Sequence, residues 1–266
     1  MKISLGTYIP GNSVFHRADP RTKIIWTLAM LVLLLMAKTV WQYALAAFFV
    51  IVAVILTRVP LKMIMQSMKP VIALLVFTVI FNLLFYKGET VAVRFWIITV
   101  YREAIEMSLK TIIRVALLVT SASLLTYTTT SVSITDGLEA LMRPLKVFRF
   151  PAHEFAMMMS IALRFIPIFA DETDKIIKAQ TARGARFDSA NPFIKIKSYV
   201  PVLIPLFISA FKSAEDMATA MEARCYRGGE GRTRYKVLKF SGCDIIIAAG
   251  TAVFAGCLII LKVFGV

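Results

Sequence analysis

One short pattern occurs twice in the second half of the chain: Ala182-Arg183-Gly184-Ala185-Arg186 and Ala223-Arg224-Cys225-Tyr226-Arg227 both read Ala-Arg-x-x-Arg. Each has an acidic residue nine positions before its first arginine, Asp174 and Glu215. A guanidinium is planar, forked and permanently charged, so it grips a carboxylate bidentately, a contact that lysine reproduces poorly. The chemistry on offer is recognition of another protein rather than bond making. For a single occurrence two readings stay open. Arginine in a last helical turn can merely satisfy the terminal carbonyls and complement the macrodipole; or the helix can present it to a partner. Duplication favours the second, and two equivalent knobs suit a partner that is itself two-fold or pseudo-two-fold.

Other reactive residue types offer little. Cys225, Cys243 and Cys257 form no CxxC pair and have no histidine at zinc spacing, so neither a disulfide framework nor a metal site is expected. His16 and His153 stand alone and read as solvated or packed loop residues. The apolar runs contain only Asn82 and hydroxyls such as Thr78, Thr120, Ser121 and Ser123, which in membrane helices usually bond their own backbone, so an intramembrane enzyme is disfavoured. No GxxxxGK[ST] loop is present, so the chain is not expected to bind ATP, and no cofactor is expected.

The elements that position the arginines follow from composition. Of 266 residues 58% are hydrophobic, and the mean hydropathy of +0.74 makes lipid the expected solvent. The net charge of +15 must then lie in segments that do not cross, where it is read as membrane topology rather than a nucleic-acid surface. Apolar runs at 24–37, 43–57, 71–86, 112–125 and 245–261 predict about five transmembrane helices, with 58–69 too polar to span and 91–98 an interfacial segment or loop. Residues 86–89 read as a water-facing turn, and Arg114 as lying near a boundary or facing protein. Residues 1–21 are polar, broken by Pro10, Gly11 and Pro20, and do not read as a signal peptide.

From 126 to 241 no charge-free stretch of span length occurs, yet helical periodicity persists. Three helices are predicted: one from about Ser133 with Asp136 and Glu139 as a capping pair, one over 152–183 kinked at Pro167, and one over 199–224. The last two pass from an apolar front to a charged back. Asp171–Lys175 and Asp174–Lys178 can pair at i,i+4, and Gly184, and Gly228 with Gly229, are the expected C-terminal stops. Basic loops place the amino terminus and this region inside the cell. The predicted organisation is a cytoplasmic segment 1–23, transmembrane helices one to four in 24–127, a cytoplasmic domain of long helices in 128–241, and a last span in 242–266, an all-α integral membrane protein. Within that span Ala248, Ala252 and Gly256 share one face, which permits close approach of a neighbouring helix.

The chain resembles the transmembrane T component of energy-coupling factor transporters, the ABC-type importers of vitamins and transition-metal ions. The matching stretches are Pro10-Gly11-Asn12-Ser13, the run His16-Arg17-Ala18-Asp19-Pro20-Arg21-Thr22-Lys23, Arg164-Phe165-Ile166-Pro167, and the two Ala-Arg signatures. The resemblance implies that long coupling helices dock into two ABC ATPases of the EcfA and EcfA′ type through Arg183 and Arg224, with Ala182, Gly184, Ala223 and Cys225 beside them. It further implies a separate substrate-binding S component in the membrane, ATP bound only by the partner ATPases, and no catalysis by this chain. Cys225 departs from the glycine or serine usual at its position, which puts the backbone turn there in question. The competing reading is a self-sufficient permease or channel with a basic lipid-binding cytoplasmic domain.

Overall fold

The computed structural model describes residues 8–86, 90–95, 98–144, 151–185, 187–188, 191–228 and 238–264. Residues 87–89 of the expected turn, and the residues Trp96, Arg186 and Gly229, lie outside them. The helices are α1 (Val14–Arg17), α2 (Pro20–Met36), α3 (Val40–Thr57), α4 (Leu61–Phe85), α5 (Arg102–Thr128), α6 (Ser131–Met142), α7 (Ala152–Ala182), α8 (Pro192–Ala223) and α9 (Gly242–Val263). Between α4 and α5 a short antiparallel hairpin, β1 (Val91–Phe95) and β2 (Ile98–Tyr101), pairs Arg94 with Thr99 and Phe95 with Ile98. The described residues of the segment read from sequence as interfacial or loop are thus β structure, the one departure from an all-helical plan among the described residues.

Among the described residues six helices are long and apolar enough to cross a membrane: α3, α4, α5, α7, α8 and α9. With 17 residues, α2 extends about 26 Å, close to the ~30 Å hydrocarbon core. The protein is a multi-pass membrane protein. Large apolar side chains face outward along it, among them Leu28, Val32 and Leu35 on α2, Phe48, Ile51 and Ile55 on α3, and Phe77, Phe81 and Phe85 on α4, as lipid solvation requires. That α7 and α8 meet the length and hydropathy of a span differs from the charge-free criterion applied to the sequence; their apolar fronts outweigh a few charges.

Capping residues decide several boundaries that hydropathy misplaced. α8 starts at Pro192 rather than near 199 because the Asn191 side chain accepts from Phe193 N–H (3.0 Å) and proline is suited to a first turn. α6 starts at Ser131, with Thr130 Oγ1 accepting from Ser133 N–H (3.3 Å), so Asp136 lies inside the helix instead of capping it. α4 runs unbroken through Lys62, Lys69 and Pro70, so the polar 61–69 stretch is part of a membrane helix and not a separate segment.

The chain divides into two units, one of Glu139–Val237 and one of Gly6–Leu138 with Leu238–Val266. In the larger unit, α2, α3, α5 and α9 enclose a core in which Met30, Leu34, Ala46, Leu124, Phe254 and Leu258 are almost fully buried. Arg114, expected at a boundary or against protein, faces protein: Nε donates to Tyr43 Oη (2.8 Å), Nη2 to the same hydroxyl and to the Ala37 carbonyl (3.1 Å), and Tyr43 Oη donates to that carbonyl (2.9 Å). This ties α5 to the α2–α3 connection.

The Asp19-Pro20-Arg21-x-Lys23 run builds a buried polar knot. Asp19 caps α2, its carboxylate accepting from Arg21 N–H (2.9 Å), while its own N–H donates to Asp244 Oδ1 (2.8 Å). Asp244 in turn completes a capping box with Ser241, whose N–H reaches Oδ2 (2.6 Å). Lys23, only 3% exposed, sends Nζ to the carbonyls of Thr128 (3.0 Å) and His16 (3.4 Å). One end of α1, α2, α5 and α9 is thereby fastened together. The His16 ring donates from Nε2 to the Ile9 carbonyl (2.9 Å) and accepts at Nδ1 from Ser13 Oγ (2.6 Å); burial pushes its pKa below the ordinary value.

Candidate functional site

The two Ala-Arg signatures form the same structure. At the end of α7, Gly184 N–H donates to the Thr181 carbonyl (2.9 Å) and Ala185 N–H to Gln180 (3.0 Å). At the end of α8, Cys225 N–H donates to Glu222 (2.8 Å) and Tyr226 N–H to Met221 (3.0 Å). Both are the paired 5→2 and 6→1 bonds of a Schellman motif, which requires a left-handed residue just past the cap. Gly184 holds it with φ +91° and Cys225 with φ +56°. The turn left in question by a cysteine therefore forms. The second stop is Cys225 and not Gly228, which has its own positive φ of +89° further on.

Each signature arginine is the C-cap residue, with φ −83° and ψ 4° at Arg183 and φ −92° and ψ 14° at Arg224. The carbonyls of Gln180 and Thr181 at the first tip, and of Met221 and Glu222 at the second, are already bonded to backbone N–H groups. Among the described residues neither guanidinium has a hydrogen-bond or ion-pair partner, and Ala182, Arg183, Gly184, Ala223, Arg224 and Cys225 are all exposed. That weakens the purely structural reading and leaves two equivalently presented forks without a partner among the described residues. Arg227 is exposed as well.

Behind the tips, α7 and α8 pack on each other around an apolar groove of about 510 Å³. Phe165, Ile166 and Phe169 line it from α7, and Ala210, Ala214 and Ala218 from α8, where small side chains let the backbones approach. Counting the helical rise, Arg183 stands about 27 Å beyond Phe165 and Arg224 about 15 Å beyond Ala214. The apolar zone and the charged tips are thus separate stretches of the same rods. Lys175 pairs with Glu172 (3.6 Å) rather than with the expected Asp171, an exposed contact of little energetic weight.

The other singled-out groups serve packing. His153 Nδ1 pairs with Glu139 Oε1 (3.1 Å). Thr78, Thr120 and Ser121 donate to the carbonyls four residues back, at 2.9, 2.7 and 2.8 Å. Among the described residues no cluster of histidine, cysteine and carboxylate side chains could hold a metal ion. Asp244, the partner of the Asp19 backbone, was not singled out from sequence; the Ser241-x-x-Asp244 spacing before an apolar run was the available signal.

Helices long and apolar enough to cross a membrane, two of them ending in matched arginine caps, define a helical multi-pass membrane protein. The chain belongs to the CbiQ cobalt transport protein family, whose model matches residues 11–235. It is 49% identical to the energy-coupling factor transporter transmembrane protein EcfT of Ruminiclostridium cellulolyticum over 260 residues, covering 98% of this chain and 97% of that protein. Proteins of the same name from Thermosediminibacter oceani and Bacillus subtilis are 45% and 43% identical, over 96% and 97% of both chains respectively.

Proposed function

We propose that this chain is the non-catalytic coupling subunit of an energy-coupling factor importer for vitamins or other micronutrients. Arg183 and Arg224 dock on two ABC ATPases of the EcfA and EcfA′ type, and the apolar stretches of α7 and α8 move a membrane-embedded S component that binds the substrate. The amino terminus and both tips lie on the cytoplasmic side, where the ATPases bind and hydrolyse ATP. One observation carries this reading: two helices in one chain end in the same exposed Ala-Arg Schellman cap. A rigid cap transmits force, since a frayed helix end would absorb the stroke, and a bidentate guanidinium resists rotation where a point charge does not.

The decisive experiment is the double change Arg183→Glu/Arg224→Glu in a transporter reconstituted with its ATPases and S component. Loss of a charge-assisted contact worth about 1.5–3 kcal/mol weakens each attachment roughly 10- to 150-fold. ATPases should therefore fail to copurify, and ATP-driven uptake should cease, with membrane insertion normal. Uptake that survives the double change would refute the assignment. A chain that always isolates alone and transports unaided would establish the self-sufficient permease instead.

A further inference from the structure

We propose that the groove between α2 and α9 binds one anionic phospholipid, with an acyl chain lying along the groove and the phosphate on Arg21. The groove has a volume of about 800 Å³ and an almost wholly hydrocarbon wall, with Leu28 and Val32 on the α2 side and the exposed Ala248 and Ala252 leaving room on the α9 side. From Thr22 to Leu33 it follows α2 for about 17 Å. That is roughly half of the ~30 Å hydrocarbon core, the depth of one leaflet. A crossing helix of a partner protein needs the full thickness, whereas one acyl chain needs half.

The polar end of the groove selects the headgroup. Phe240 lines the wall there, and the Arg21 guanidinium carbon sits 5.6 Å from its ring centroid. Arg21 Nε is buried and, among the described residues, has no hydrogen-bond partner; the nearest carboxylate oxygen, Asp19 Oδ1, is 3.8 Å away. Asp244 also lines this end, but its oxygens are occupied by the backbone N–H groups of Asp19 and Ser241, and Asp19 Oδ1 by that of Arg21. Asp244 is held by two backbone N–H groups, and Asp19 Oδ1, besides accepting from Arg21 N–H, stands in ion-pair range of Arg21 Nε. Lys23 is turned inward onto carbonyls. Arg21 does not line the groove itself; its guanidinium borders the polar end through the Phe240 ring, at the level where a phosphate lies.

Native mass spectrometry of the full-length protein, released from detergent in equimolar phosphatidylglycerol and phosphatidylcholine of matched chains, tests this. One phosphatidylglycerol should stay on each chain in preference to phosphatidylcholine. Arg21→Gln should weaken its retention about fivefold and erase the preference. Ala248→Leu/Ala252→Leu, which adds bulk to exposed positions of the groove, should abolish retention. A second readout uses Trp26, which lines the same groove: in a Trp41→Phe/Trp96→Phe background, phosphatidylglycerol brominated on its chains should quench Trp26, and Ala252→Leu should remove the quenching. Equal retention of the two lipids by the native protein, or retention and quenching unchanged in the groove variants, would overturn the proposal. So would crosslinking from Ala252→Cys to a membrane protein in place of lipid.

Discussion

Cys225 is the residue on which the equivalence of the two tips can be measured. It sits at φ +56°, in the left-handed region where a Cβ crowds the following carbonyl at a cost of about 1–2 kcal/mol, while Gly184 occupies the same cap position without one. Replacing Cys225 with glycine removes that strain and adds freedom to the unfolded chain, for a net local gain of about 1 kcal/mol. The amides to watch are Cys225 and Tyr226, bonded to Glu222 and Met221 at 2.8 and 3.0 Å. Because the tip opens locally, hydrogen exchange reads its stability directly, and ~1 kcal/mol corresponds to about fivefold slower exchange at these two positions. The reciprocal change, Gly184→Ala, should speed exchange at Gly184 and Ala185 by a similar factor, since no neighbouring atom stands near its Cβ and the strain is backbone alone. If Cys225→Gly leaves exchange unchanged or faster, the left-handed cap is not the structure of the second tip. The case for two matched docking prongs then loses its basis.

Four further outcomes follow from the larger unit. Lys23→Met should cost roughly 1.5–3 kcal/mol, because it orphans the Thr128 and His16 carbonyls in a buried site; a detergent melting curve that does not move would contradict the knot. Asp244→Asn turns an acceptor into a donor facing a backbone N–H, and should lower the melting temperature by an amount comparable to Lys23→Met. Tyr43→Phe and Arg114→Leu should be coupled in a double-mutant cycle by more than about 0.5 kcal/mol, since each removes the other's partner; strict additivity would deny the contact. His16 carries a depressed pKa, so the unfolded chain takes up its proton first as pH falls. Stability should therefore be fully present above the ordinary value of 6.5 and decline below it, and His16→Asn should remove that part of the slope.

Some of this protein is legible from residue order and some is not, and the division has a physical cause. The spans in α3, α4, α5 and α9 and the arginine-tipped helices follow from hydropathy, periodicity and a repeated pattern, all local properties. Even so, the start of α4 hides behind Lys62 and Lys69, because charged side chains near a helix end can reach water while the backbone continues through the bilayer. The hairpin of β1 and β2 is missed because its nine strand residues, of apolar and aromatic character, do not distinguish a strand from an interfacial segment until the pairing partner is known. The Asp19–Asp244 bond joins residues 225 positions apart, which no local pattern reveals. At the tips, Ala-Arg-Gly and Ala-Arg-Cys look different because side-chain chemistry is what a sequence displays. What they share is a backbone dihedral, and a cysteine can be held at positive φ when two hydrogen bonds fix the turn around it. The matched geometry supports the proposed docking role: in each cap two carbonyls are closed by backbone N–H groups rather than by the arginine, so under that proposal both guanidinium groups stay available to a partner.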